Sequence, residues 1–263
     1  MNANAVYIGD HTVLARLKYG PKIYVDTREI SMSGHLILDG YWEDWVTKTF
    51  LSIVQPGMTV IDVGANCGYY ALLASQVVGL KGRVHAVEPN PFFHANLRRS
   101  KLINGFYHMD IHPYAISQQE GQMSLYIPED LLASASLHKE CLTGMGMVER
   151  IREVSVQTKP LTALLPDLQA DVIKVDIEGA EPHILTDLIA VLERSNTCQL
   201  ILEFNPHAWA KQGFDAFETL RIFEQLQYQL HVIEHDGSVT ALGLNDLMHK
   251  TNAHSHFDLL IRK

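Results

Sequence analysis

Cysteine is scarce in this chain. Cys67, Cys141 and Cys198 are the only three in 263 residues, they lie far apart, and no C-x-x-C pair occurs. That excludes a disulfide framework and a zinc site built on paired thiolates. Long apolar runs are missing as well: nothing approaches the roughly 18–20 residues of a membrane span. The opening MNANAVYIGD has no basic stretch followed by an apolar core, so no export leader is read there. The expectation is a protein of a reducing cytoplasm, neither exported nor membrane-bound. Positive charge is in deficit, with 21 Lys and Arg against 30 Asp and Glu and a net charge of -9. Phosphate backbones are bound through basic patches and none is visible, so nucleic acid is not an expected partner. What remains is an ordinary globular composition, 47% apolar and 19% charged, long enough for one large domain with a substantial core.

A third glycine is lacking where one class of ligand would require it. The stretch MTVIDVGANCG, residues 58–68, reads as a buried β-branched strand, a glycine loop and then a helix over residues 69–78. Such a loop lets a ligand lie against bare main chain at a helix N-terminus. A dinucleotide fingerprint needs G-x-G-x-x-G; here Gly64 and Gly68 are separated by Ala65, Asn66 and Cys67. The acid comes before the loop, at Asp62, placed to accept from a cationic amino-acid end. A second strand, residues 83–87, delivers Glu88 at its tip, where a carboxylate can hold both hydroxyls of a ribose. Asp62 and Glu88 around this turn describe a pocket for S-adenosylmethionine, with Gly64, Asn66, Gly68, Tyr69 and Pro89 as further contacts. The alternative is a plain glycine turn joining strand to helix in any α/β protein.

In chain order, alternating residues 6–8, 12–17 and 22–25, broken at Gly9-Asp10 and Gly20-Pro21, predict a small antiparallel β element over residues 1–40. Trp42, Trp45, Val46, Phe50 and Ile53 recur at helical spacing over 41–54, which makes the tryptophans core residues. Glu43 on that helix is left between a solvated charge and a functional one. After Glu88 a helix runs to about residue 103, then a strand over 109–116 brings Tyr114, Ala115 and Ile116 to where an adenine ring would rest. Residues 123–127 form a short strand. Residues 128–155 show no firm period and read as a lid or substrate insertion at the open end of the sheet. Strands follow at 172–177 and 200–204, with helices after each, and residues 229–234 and 256–261 make an antiparallel, hairpin-like pair at one sheet edge. The pattern predicts an α/β fold: a doubly wound, mostly parallel sheet with an antiparallel edge strand, residues 41–263 forming the main domain.

The pieces GYxE at Gly40–Glu43, VIDVGANCGYYALLAS, VHAVEPNP, NGF at Asn104, DVIKVDIEGAE and LILEFNP cover about residues 25–207 in order. In them the chain resembles the FkbM-type S-adenosylmethionine-dependent methyltransferases. The resemblance implies a Rossmann-like class I methyltransferase fold and methyl transfer, commonly to a hydroxyl on a sugar, polyketide or other natural product. Cys67 stands where such sequences often carry an aliphatic residue, within a turn that works through its backbone.

Asp62, Glu88, Asp176, Glu178 and Glu203 all fall at predicted strand ends, where open α/β sheets bind ligands. With Asp62 and Glu88 assigned to the cofactor, Asp176, Glu178 and Glu203 face the acceptor. Methyl transfer from a sulfonium asks for alignment and a route for the acceptor's proton, and an alcohol needs a base. Asp176, or His207 just beyond Glu203, is that expected base; for Glu178 and Glu181 compensation of a helix N-terminus stands as the alternative. Asp176, Glu203 and Asn205 also offer hard oxygen ligands for Mg2+. The pair His254 and His256 reads as a polar edge, lacking a third ligand nearby. The leading function is O-methylation of a small-molecule or glycan acceptor. N-methylation of an amine or peptide nitrogen, a non-catalytic cofactor-binding module and an NAD-dependent oxidoreductase are the competitors, and a homo-oligomer is left open.

Overall fold

The computed structural model of the chain describes residues 4–142, 150–195, 197–252 and 256–263. Three short antiparallel strands come first, β1 (Ala5–Gly9), β2 (Thr12–Arg16) and β3 (Lys22–Asp26). They precede α1 (Ser33–Leu38) and α2 (Asp44–Ile53). The main sheet begins with β4 (Thr59–Val63), followed by α3 (Tyr69–Val78), β5 (Arg83–Val87), α4 (Pro91–Ile103) and β6 (Met109–His112). A side branch holds β7 (Ala115–Ile116), β8 (Gly121–Pro128), α5 (Lys139–Leu142) and β9 (Ile151–Lys159). The chain then returns through α6 (Leu161–Leu164), β10 (Val172–Val175), α7 (Leu185–Arg194), β11 (Gln199–Phe204), α8 (Pro206–Lys211) and α9 (Ala216–Gln225). It closes with β12 (Gln229–Ile233), β13 (Val239–Ala241), α10 (Leu244–Lys250) and β14 (Phe257–Arg262).

Eight strands form one sheet in the order β13-β12-β14-β11-β10-β4-β5-β6. Strands β6, β5, β4, β10 and β11 run parallel, and β14 is antiparallel to both neighbours. This is the Rossmann-like α/β fold expected of the sequence, with the small antiparallel sheet before it. Chain order reverses between β4 and β10, so a crevice opens at their carboxyl ends. Helices cover both faces of the central strands, which are mostly apolar, with Asp62 on β4 and Lys174 on β10 as buried exceptions. Val60, Leu72, Val84 and Leu97 belong to one core cluster, and Ile61, Val175, Leu188 and Phe223 to another.

The N-terminal sheet is fastened to the rest by α4. Backbone N–H groups of Lys22 and Tyr24 donate to Asn104 Oδ1 and Ser100 Oγ, both at 2.8 Å. Its Val13, Ile23 and Val25 share a cluster with Phe93 and Leu97.

Three local expectations are corrected. The strand expected over 109–116 is two strands in different sheets: Pro113 offers no N–H to a ladder, and the chain leaves the main sheet there to pair β7 with β9. The last strands do pair antiparallel, yet β14 is the inner one, between β11 and β12, with β13 outside. Residues 151–155, read as part of an insertion, begin β9, which pairs with β8 from Pro128↔Ile151 to Gly121↔Thr158. The Gly144–Met147 run lies outside the described residues.

Candidate active site

Gly64 has φ +84°, and a Cβ there would sit 1.8 Å from the Asp176 carbonyl oxygen. Only glycine lets the loop after β4 pass this close to the end of β10. Gly68, φ +95°, is similarly closed to a Cβ, which would lie 2.2 Å from Leu97 Cδ1. Between them Asn66 takes a positive φ of 55°. Its N–H donates to Glu88 Oε2 at 2.6 Å, and its own Oδ1 accepts from Cys67 N–H at 2.7 Å. Glu88 Oε1 accepts from Asn90 N–H at 2.7 Å. Each Glu88 oxygen keeps a lone pair, and burial pushes this carboxyl up to about 7.

Asp62, only 1% exposed, lies under the loop; its Oδ2 finds no hydrogen-bond partner among the described residues. Burial pushes it up to about 6 against the opposing pull of Lys174. Lys174 is Asp62's register neighbour on β10 and donates to Asp176 Oδ2 at 2.8 Å. Its ammonium lies 4.5 Å from the centroid of the Tyr70 ring. Burial works against its charge, but Asp176, Asp62 and Glu43 hold it protonated.

Carboxylates surround this one cation. Glu43 stands at the left-handed start of α2, φ 39°, with the Tyr70 hydroxyl donating at 3.3 Å. Burial, then the charges of Asp258 and Asp176, push Glu43 up to about 8. Glu178 and Glu203 are raised well above the ordinary range by burial and by Asp176. Glu181 is fully buried and used internally: Oε1 accepts from Ile177 N–H at 2.9 Å and Gly179 N–H at 3.2 Å, and Oε2 from the Trp209 indole at 3.0 Å. It braces the loop that carries Asp176 and Glu178.

Together these groups line a cavity of about 290 Å³. Its roof comes from Leu132–Ala135 and Leu137 and from Tyr114, Ala115 and Ile116, and Ser31, Met32 and Trp42 close one side. Buried Glu29 sets that side by accepting from Ser31, Met32 and Ser33 N–H groups at 2.8–2.9 Å. The arrangement is a strand-end crevice with a main-chain cradle at one end and an acid wall at the other.

A family model described as the methyltransferase FkbM domain matches residues 62–230. The chain belongs to the FkbM family of S-adenosylmethionine-dependent methyltransferases. TYW2 from M. jannaschii, solved in complex with AdoMet, has a TM-score of 0.51 at 11% identity over 98% of this chain and 87% of that one. TYW2 from P. horikoshii, in complex with MeSAdo, has a TM-score of 0.50 at 14% identity over 97% of this chain and 72% of that one. At such identities these two share the fold. No curated protein matches.

On this FkbM frame the residues singled out from sequence divide clearly. Gly64, Asn66, Tyr69, Glu88, Pro89, Ala115, Asp176, Glu178 and Glu203 line the cavity, while Asp62 and Gly68 shape its loop from behind. His207 does not join them: it is exposed on the first turn of α8, outside the cavity lining. The strand expected over 172–177 ends at Val175, so Asp176 and Glu178 sit on the loop after β10, with Glu178 at a left-handed φ of 57°. For Mg2+ the expected ligand set does not form. Asn205 Oδ1 is occupied in capping α8 through Ala208 N–H at 3.0 Å, and among the described residues no three His, Cys, Asp or Glu side chains converge on one point. His254 lies outside the described residues, and His256 is exposed. Sequence reasoning does not single out Lys174, and it reads Trp42 as a core residue although Trp42 lines the cavity. Lys174 had a signal, since a lysine inside the apolar run VIKV demands a buried partner.

Proposed function

We propose that this protein transfers a methyl group from S-adenosylmethionine to a hydroxyl of a sugar or other small natural product. The observation that carries the reading is the acid wall at the β10 and β11 ends of the cavity, with Glu43 facing it from α2.

The residues fit the donor. The main chain of Gly64, Ala65 and Asn66 in the cavity lining and the free lone pairs on Glu88 suit a ligand with close main-chain contacts and a diol, and the orphaned acceptor of Asp62 lies beneath that loop. Gly64, Asn66, Tyr69, Glu88, Pro89 and Ala115 are the residues that would hold it, on a loop that Asp62 and Gly68 shape from behind. When bound, S-adenosylmethionine supplies an electrophilic methyl group on a positively charged sulfur.

The chain's own part is to align the acceptor and take its proton. Asp176, pinned by Lys174, is fixed in place to orient an acceptor hydroxyl. Glu43 is the base, because burial and the nearby carboxylates raise its proton affinity and bring its titration close to working pH. Ionised Glu43 accepts the hydroxyl proton at a carboxylate oxygen, and Tyr70, hydrogen-bonded to it, holds the group in place. The surrounding carboxylates also suit a cationic nitrogen, and this keeps N-methylation as the second reading.

The test is incubation with S-adenosylmethionine and a panel of hydroxylated and amino acceptors, with NMR identification of the new methyl. An O-linked methyl supports the proposal, an N-linked one moves it to the second reading, and no transfer despite cofactor binding removes both. With an active acceptor, kcat is expected to rise with pH through about 8 as Glu43 ionises. Glu43→Gln is expected to lower it by about 10²–10⁴-fold and flatten that rise.

A further inference from the structure

A second cavity, of about 160 Å³, opens beside the first and is used by nothing described so far. Trp45, Glu234, His235, Lys250, His256 and Asp258 supply its polar and aromatic wall. It lies on the same edge of the sheet as the active site, because β12 is parallel to β11 and Glu234 and His235 follow its carboxyl end. Ligands of open α/β sheets collect along that edge.

Two elements form the partition between the cavities. Glu203 on β11 and Asp258 on β14 are directly opposite in register, so their side chains share one sheet face; the first lines the active-site cavity and the second lines its neighbour. On α2 the same division recurs two residues apart, with Glu43 on one side and Trp45 on the other. The Trp45 indole N–H reaches Asp258 Oδ2 at 3.4 Å, tying the two parts of the wall together. The acid charges sense each other across it, since Asp258 raises the proton affinity of both Glu43 and Glu203.

We infer that the second cavity is an acceptor subsite that holds the sugar ring next to the one being methylated, against Trp45. This rests on the glycan side of the proposed function. A sugar ring has an apolar C–H face and a rim of hydroxyls. The Trp45 ring offers the complementary plate, partly covered by His235 at 4.3 Å between ring centroids. The rim meets both donors and acceptors, in Asp258, His256 and the Glu234–Lys250 ion pair. A phosphorylated acceptor is disfavoured, because Lys250 is already paired with Glu234 and the remaining carboxylate, Asp258, repels an anion.

Fluorescently labelled protein, loaded with S-adenosylhomocysteine, is applied to a printed array of mono-, di- and trisaccharides, alongside Trp45→Ala and Trp45→Phe. The expected result is retention on glycans of two or more rings and not on single rings. Trp45→Ala is expected to weaken this by about tenfold or more, and Trp45→Phe, which keeps an aromatic plate, by about threefold at most. Affinity for S-adenosylhomocysteine, measured by calorimetry, stays unchanged in both variants and shows that they are folded. Retention of single rings as strongly as of longer glycans overturns the subsite while leaving a sugar acceptor in place, and so does indifference to Trp45→Ala. No retention of any glycan removes the sugar acceptor along with the subsite. Failure to bind S-adenosylhomocysteine would strike at the donor itself.

Discussion

Among the described glycines, Gly64 carries the most restrictive geometry. A methyl group there meets a main-chain carbonyl that cannot step aside without moving the end of β10, and the positive φ adds its own penalty. Gly64→Ala is expected to cost about 2–4 kcal/mol from overpacking and backbone strain, lowering Tm by about 5–15 °C. Gly57→Ala provides the comparison: its φ is +86°, yet nothing lies within 4 Å of the added carbon, so about 1–2 kcal/mol is expected. Differential scanning fluorimetry of the two variants separates the terms; equal losses would show that the Asp176 contact does not matter. At the same scale, Cys67 is no reactive thiol. It is buried, and burial pushes its ionisation up to about 12, so alkylating reagents are expected to leave the folded protein unmodified at this position.

Between elements, β5 and β6 share an unusual contact. His85 Nδ1 and His112 Nε2 lie 3.1 Å apart, and His85 Nε2 is buried without a partner among the described residues. Burial, then the neighbouring His112, pushes His85 down from 6.5 to about 4. The unfolded chain therefore binds a proton that the folded one refuses between those values. Stability from this group is complete above pH 6.5 and is lost as pH falls through about 4. The loss approaches about 3 kcal/mol at 1.36 kcal/mol per pK unit. Replacing the ring by an apolar one, His85→Phe, is expected to flatten the fall of Tm between pH 6.5 and 4 relative to the unmodified protein. An unchanged slope would mean that another element pair governs acid sensitivity.

At the scale of the whole molecule, the cavity lies where α2, the loop after β4, the roof segment 132–137 and the β10 and β11 ends converge. A ligand bound there couples parts of the chain far apart in sequence, and it stabilises only the folded state. S-adenosylhomocysteine at 100 times its Kd is expected to add about 2.7 kcal/mol, raising Tm by about 5–10 °C, while NAD leaves Tm unmoved. The reverse pattern would restore the dinucleotide reading. Since Asp62, Glu88 and Glu43 are raised to about 6, 7 and 8 by burial, the ligand-free protein is penalised for ionising them. Their contribution is present at low pH and is lost as pH rises through those values. The Tm gain from ligand is therefore expected to grow between pH 6 and 8.5 if the bound cation offsets that penalty, and to stay flat if it does not.

The order of elements, the strand-loop-helix at Asp62–Gly68, the tip position of Glu88 and the acid loop at Asp176–Glu181 were legible from local pattern alone. Hydrophobic period, glycine spacing and turn residues are properties of neighbouring residues, and they act before the chain has folded. What lay outside that reach depends on distance in space. His207 sits three residues beyond Phe204 and faces solvent, because capping by Asn205 turns the chain into α8 at that point. Glu43 comes from a helix far upstream, and only its approach to Asp258 and Asp176 raises its proton affinity. Trp45 reads as core by its helical period, yet β14, inserted between β11 and β12, brings Asp258 under its indole and opens a cavity there. The sequence by itself determined the fold and the glycine loop after β4, since both are written in short-range pattern. The acid wall and the second cavity were decided by tertiary structure, because burial and charge proximity exist only once the strands have taken their places.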